Sequence, residues 1–156
     1  MTAEHQYTAT VVWQRGDGEK FTDNRYRRVH QWRFDGGITV PASSAPSSVP
    51  LPLSSAEAVD PEEAFVAALS SCHMLFFLFH AAKKGHVVDR YEDEAVAVMG
   101  KTASGRRGIV KVTLRPAVRW GGPAPTAEEL HALHEQSHHD CYIANSVTAE
   151  VVVESR

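Results

Sequence analysis

Two cysteines, Cys72 and Cys141, carry the widest chemical range in this 156-residue chain: as thiolates they attack electrophiles, ligate soft metals or oxidise. In a reducing compartment two cysteines make a poor structural staple. They read better as a redox pair, as metal ligands or as inert core thiols. Cys72 lies in the run AFVAALSSCHMLFFLFHAA, Ala64 to Ala82, which has no formal charge. At 3.6 residues per helical turn its face is shared by Phe65, Ala68, Leu69, Phe76 and Phe79. On so apolar a face, far from the helix N-terminus, an isolated thiol stays protonated and inert unless a cation lies beside it.

The segment Arg25 to Phe34 offers such a cation. Strand alternation places Arg25, Arg27, Val29, Gln31 and Arg33 on one side and Tyr26, Arg28, His30, Trp32 and Phe34 on the other. Arg28 alone shares the aromatic face. If that face packs inward, its guanidinium must find an anion, for which Glu62 and the Cys72 thiolate are available. The plainer alternative is an interior arginine with a carboxylate partner or a snorkelling head, and a bulge would shift the register by one residue.

Nine histidines add further possibilities. His134-Glu135-Gln136-Ser137-His138 matches the HExxH pattern of zinc peptidases, but no third ligand follows at a suitable place. A zinc site combining Cys72 or Cys141 with His73, His138 or His139 lacks tight ligand spacing. The bland reading is that the histidines of segment 131–139 cap or decorate a surface helix, and that His73 and His80 pack at a helix surface or dimer contact.

These residues need elements to position them. Asp60, Pro61 and Glu63 form an N-terminal helix signature, Lys83 and Lys84 complement the opposite dipole end, and Gly85 can stop the helix, so a helix is predicted over about 61–84. Its length and apolarity would suit a membrane span, but Ser70, Ser71, Cys72 and His73 fall at its middle, which favours a protein interior. Tyr7–Trp13 and Arg25–Phe34 read as a hairpin around GDGEKFTDN. The Pro- and Ser-rich segment Gly36–Val59 reads either as a loop covering a site or as a flexible excursion. Strands are predicted at Glu92–Met99 and Ile109–Trp120, with Pro116 marking an edge or bulge. A helix opened by the Thr126/Glu129 capping box runs to about His139, and a last strand covers Val147–Val153. This order, without internal repeats, indicates an α+β fold.

The composition restricts partners. With 16 Lys+Arg against 19 Asp+Glu, net charge −3 and pI near 6.3, no global positive field attracts nucleic acid or anionic lipid. The start MTAEHQYTATVVW lacks the pattern of a secretory signal, so a cytoplasmic protein is expected. One domain over residues 1–156 is the natural division, with a core large enough to need neither disulfide nor metal for folding.

The segment Val59-Asp60-Pro61-Glu62-Glu63-Ala64-Phe65, followed by Leu69-Ser70-Ser71-Cys72-His73, resembles the central-helix signature of the osmotically inducible protein C and organic hydroperoxide resistance (OsmC/Ohr) family. The resemblance extends over most of the chain, including the strand order and the second cysteine after a short helix. It implies antiparallel sheets packed around a long central helix, in an intertwined homodimer with sites at the subunit interface. It also implies a cofactor-free peroxidase that reduces organic hydroperoxides at the expense of thiols, often dihydrolipoyl groups. By that resemblance Cys72 is the attacking thiolate, Cys141 the resolving cysteine that closes a disulfide, Arg28 the activating arginine with Arg25 and Arg27 as weaker choices, and Glu62 the orienting carboxylate. Glu62 precedes Cys72 by about 15 Å of straight helix, so it acts through Arg28, from a non-helical entry or from the partner subunit. Two departures stand out: Tyr142 follows Cys141 where the family usually has proline, and the segment before the helix is long. The apolar wall of Phe65, Phe76 and Phe79 favours an organic peroxide over hydrogen peroxide. The alternative from another class is a non-catalytic small-molecule or zinc-binding module on the same scaffold.

Overall fold

Three sheets and two helices make up the described residues, 4–156, of the computed structural model. The expectation about the N-terminus, so far as it concerns residues 1–3, lies outside the described residues. The chain divides into two compact units, one ending at Ala64 and the other spanning Phe65–Arg156.

In the first unit, β1 (Ala9–Val12), β2 (His30–Phe34) and β3 (Thr39–Ala42) form an antiparallel sheet in that order, with Ala9 opposite Phe34 and His30 opposite Ala42. The expected hairpin is present, but its second strand is shorter. Asn24 adopts a positive φ of 60° and the Asp23 carboxylate accepts the Arg25 amide at 3.1 Å, which turns the chain. The Arg28 amide then bonds the Leu53 carbonyl at 2.8 Å and the Arg27 carbonyl accepts the Trp13 indole N–H at 2.8 Å, so these groups are used outside the ladder. Trp13, Phe21 and Tyr26 stack over this turn.

Strand β3 lies inside the segment expected to be loop. The rest of that segment is bonded along its length. Ser43 N–H donates to Val59 and Val59 N–H to Pro41, both at 3.0 Å; the buried Ser54 hydroxyl donates to the Val49 carbonyl at 2.6 Å; and the Ser55 amide donates to the Ser43 hydroxyl at 3.0 Å. Such pairing is what lets a serine-rich segment enter the interior.

Helix α1 (Pro61–Lys83) starts at Asp60, whose carboxylate accepts the Glu63 amide at 2.8 Å while the Glu63 carboxylate accepts the Asp60 amide at 3.1 Å. This is the predicted capping box. At the other end Gly85 has φ +83°, Gly85 N–H bonds the Ala82 carbonyl and His86 N–H bonds the Ala81 carbonyl, a Schellman stop that explains why a glycine is there.

The second unit holds β4 (Val88–Asp93) paired antiparallel with β7 (Pro116–Trp120), and a sheet β5 (Val96–Lys101), β6 (Arg107–Leu114), β8 (Glu150–Val153). Pairing of β5 with β6 is antiparallel, whereas β6 and β8 run parallel. Helix α2 (Ala127–Asp140) supplies part of the long crossover that a parallel pair requires. The two strands expected at 92–99 and 109–120 each break in two, at one shared point. Asp93 Oδ1 accepts the Arg115 amide at 2.6 Å and Asp93 Oδ2 accepts the Ser70 hydroxyl at 2.5 Å, which removes Arg115 N–H from any continuous ladder.

Two apolar clusters hold this unit. Leu69, Val112 and Leu114 are buried with Phe65, Ile143 and Val151 around them; Phe77, Ala81 and Leu133 are buried with Tyr91, Val118 and Trp120 around them. Each such fully buried large side chain contributes about 1.5–3 kcal/mol. The buried stripe of α1 is thus Leu69, His73, Phe77 and Ala81, rotated from the face expected to surround Cys72. The helix is apolar nearly all round, so periodicity could not select the buried side.

Candidate functional site

Cys72 follows from the rotation of α1. His73, its neighbour in sequence, points into the core, and one residue is 100° of helix, so Cys72 sits on the shoulder of the buried stripe and is half-buried. Cys141 is the C-cap residue of α2, with no solvent exposure. Its sulfur accepts the Ala144 amide at 3.4 Å, the first bond of the turn leading into a 3₁₀ segment at Ala144–Ser146. The second unit therefore brings the two cysteines close enough to influence each other, and both are free thiols. The Cys141 pKa is pushed up to about 11, first by burial, with the Ala144 bond opposing, and then by the side-chain bond and charge interaction with Cys72.

The surroundings of Cys141 are ordered. Phe76 meets Tyr142 edge-on with ring centroids 5.0 Å apart, and His80 Nε2 lies 2.8 Å from the Asp140 carboxylate. Asp140 is held low, at about 2, by bonds from His139, Gln136 and His80. Of the aromatic wall expected around Cys72, Phe76 is half-buried, Phe79 is 56% exposed and Phe65 packs into the core cluster.

His73 was expected at a helix surface, and the structure corrects this: it is 1% exposed and its Nε2 lies 3.1 Å from Nδ1 of His134, itself 3% exposed. Their rings stack with centroids 5.4 Å apart, and Phe77 stacks on His134 at 4.5 Å. Burial lowers both pKa values to about 4; for His73 the neighbouring His134 and His138 add to it, and for His134 the Asp93 and Glu135 charges oppose it. Sequence reading missed this pair, although one signal was present: His73 continues the four-residue spacing of Leu69, Phe77 and Ala81.

The HExxH pattern dissolves in the same contact, because one of its imidazoles is bonded to His73. Among the described residues no group of three or more His, Cys, Asp or Glu is arranged to hold a metal ion. His134 and His138, with Leu130, Val151 and Val153, instead line a cavity of about 370 Å³ between α2 and β8.

The other two expected site residues belong to the first unit. Glu62 is half-buried within the first turn of α1, so its entry is helical. Arg28, expected on a strand, lies in the turn before β2. Its guanidinium donates to the Asn24 carbonyl at 3.0 Å, the Asn24 side-chain oxygen at 2.9 Å and the Tyr26 carbonyl, and covers the Tyr26 ring at 3.8 Å. Arg25 and Arg27 are exposed.

Comparisons with known proteins agree on the scaffold. The family profile described as OsmC-like protein matches residues 54–156. An OsmC-like protein of unknown function from Vibrio cholerae is 51% identical, covers 98% of this chain and 100% of its own, and superposes with a TM-score of 0.95. The fold is shared with an organic hydroperoxide resistance protein from Elizabethkingia anophelis, at 18% identity, 99% and 96% coverage and TM-score 0.70. It is shared too with the organic hydroperoxide resistance protein OhrB of Bacillus subtilis, at 19% identity, 96% and 98% coverage and TM-score 0.65. A search of curated proteins finds no match.

Proposed function

The chain belongs to the OsmC-like protein family, and from that premise we propose that it is a thiol-dependent peroxidase that reduces organic hydroperoxides. The observation that carries this reading is the pairing of a half-buried Cys72 with a fully buried Cys141 close enough to interact with it. In the first step the Cys72 thiolate attacks the distal peroxide oxygen; an S–O bond forms, the O–O bond breaks, and the alkoxide leaves and takes up a proton. In the second, Cys141 sulfur attacks the sulfenic sulfur; the disulfide forms and water leaves. An external dithiol, such as a dihydrolipoyl group, then reopens the bond by exchange and is itself oxidised. Arg28 as activator and Glu62 as orienter enter this scheme from the family resemblance. Phe76 and Tyr142, beside the sulfurs, favour a hydroperoxide with an apolar tail. Cytoplasmic action is part of the reading, since reopening needs a reducing thiol pool. So is a homodimer: α1 leaves Leu75 61% and Phe79 56% exposed, an apolar face that a second copy would cover, and sedimentation at low concentration tests it.

Thiol counting after one equivalent of cumene hydroperoxide tests the main claim. Both thiols should disappear together and a Cys72–Cys141 peptide pair should appear by mass spectrometry. Retention of both thiols would overturn it and favour the second reading, a non-catalytic small-molecule module, for which the imidazole- and valine-lined cavity is the supporting observation.

A further inference from the structure

We propose that the His73–His134 pair is a positioning latch that holds the Cys72 and Cys141 sulfurs together only while the pair is neutral, so that acid suspends disulfide closure. The inference deepens the peroxidase reading and rests on it. Cys72 and His73 are consecutive on α1, and Cys141 caps α2 about two turns beyond His134. At the level of Cys72 the two helices that carry the sulfurs are thus tied by an imidazole–imidazole bond of 3.1 Å between rings that are almost parallel, 13° apart. Such a bond needs one ring nitrogen without a proton. A proton added at that acceptor turns the contact into N–H facing N–H, and one added at an outer nitrogen leaves a buried cationic N–H with no acceptor among the described residues.

No hydrogen bond takes up that charge: among the described residues His73 Nδ1 and His134 Nε2, the outward nitrogens, are buried without a partner, as is His138 Nδ1. The groups that face the pair are His131, Glu135 and His138 on α2 and Asp93 on β4, with Tyr91 of β4 packed on the neighbouring Phe77. Asp93 and Glu135 favour a proton on His134, but Asp93 is already committed to the Ser70 hydroxyl and the Arg115 amide. Tyr91 is neutral, its hydroxyl buried without a partner and its pKa raised by burial, while His131 and His138 oppose further positive charge. Burial outweighs the carboxylates, and both histidines are lowered to about 4. Protonation is then favoured by parting the rings: as pH falls from about 6.5 towards 4, opening of α2 from α1 at this level takes up protons and becomes progressively easier. The His80–Asp140 contact, next to Cys141, ties the same two helices and does not share this weakness, because a protonated His80 still pairs with a carboxylate, so the parting in acid is at the level of Cys72.

The test uses 4,4′-dithiodipyridine, which oxidises thiols without a peroxide. It forms a mixed disulfide on Cys72 with release of one thiopyridone, and Cys141 then displaces the second as the protein disulfide closes. The rate of the second release is compared between wild type and His73→Gln/His134→Asn, whose amides replace the inner nitrogens and do not titrate. The two should close within about threefold of each other near pH 7.5, and the variant should be faster by at least about tenfold near pH 4.5. Parallel pH profiles, or no closure at any pH, would overturn the latch. Should the variant fail to fold, imidazole ¹⁵N shifts of the wild type decide: both rings are expected to stay neutral near pH 5.5, and titration of either near 6.5 overturns the proposal. Failure of the peroxidase reading shows differently, as closure with dithiodipyridine but no oxidation by cumene hydroperoxide.

Discussion

Cys72 and Cys141 are the same side chain in two settings. One lies on the shoulder of a long helix, partly open, with no bond that fixes its proton. The other closes a helix, is sealed from solvent, and accepts one amide. The difference teaches that burial alone separates two neighbouring thiols, and in the proposed scheme the open one attacks while the sealed one is held in reserve. A sealed thiol whose pKa is pushed up to about 11 stays protonated at neutral pH. In the proposed scheme it is slow towards outside oxidants and is kept for the intramolecular step.

The strongest way to break that contrast is Cys72→Ser. Peroxide consumption should drop to the uncatalysed background, a loss of about a thousandfold or more, because Cys141 is too protonated and too hidden to substitute. A variant that still turned over in a peroxide-consumption assay would end the division of roles. Cys141→Ser sharpens it: a first burst of one equivalent should survive, but with excess peroxide Cys72 should advance to sulfinic acid, read by intact mass.

Third in size is acid destabilisation. The two lowered histidines keep full stability above pH 6.5 and lose it as pH falls towards about 4, because the unfolded chain binds protons there that the folded pair refuses. The urea midpoint at pH 5 should fall by an amount equivalent to a few kcal/mol for the wild type and by distinctly less for His73→Gln/His134→Asn. The smallest effect is expected from Thr126→Ala. Thr126 accepts the Glu129 amide at 3.2 Å, and losing that cap should cost about 1 kcal/mol in thermal or urea unfolding while leaving the sulfur contact intact.

Local chemistry was the legible part of the chain. Asp60 with Glu63, Gly85, and Thr126 with Glu129 mark helix ends through bonds between residues a few positions apart, and all stand where expected. What escaped depends on distant partners. The break between β6 and β7 needs the carboxylate of Asp93, 22 residues away, and nothing near Arg115 announces it. The start of β2 is set by Asn24 and by the bond from the Arg28 amide to the Leu53 carbonyl. The rotation of α1 was hidden because Phe76, Phe77, Leu78 and Phe79 leave no polar side to orient it, and with it went the depth of His73. The adjacency of Cys72 and Cys141 was legible only through the family pattern, since no spacing rule joins two cysteines on different helices.

The parallel junction of β6 and β8 has a consequence for biogenesis. Lys111 sits opposite Glu150, roughly forty positions downstream, so this edge is zipped only after a slow, non-local search. Until then Lys111–Leu114 shows a bare hydrogen-bonding border beside Val112 and Leu114, an adhesive template for neighbouring nascent chains. A ribosome that stalls before Glu150 would release a sticky fragment, and chaperone demand should peak at that point of synthesis.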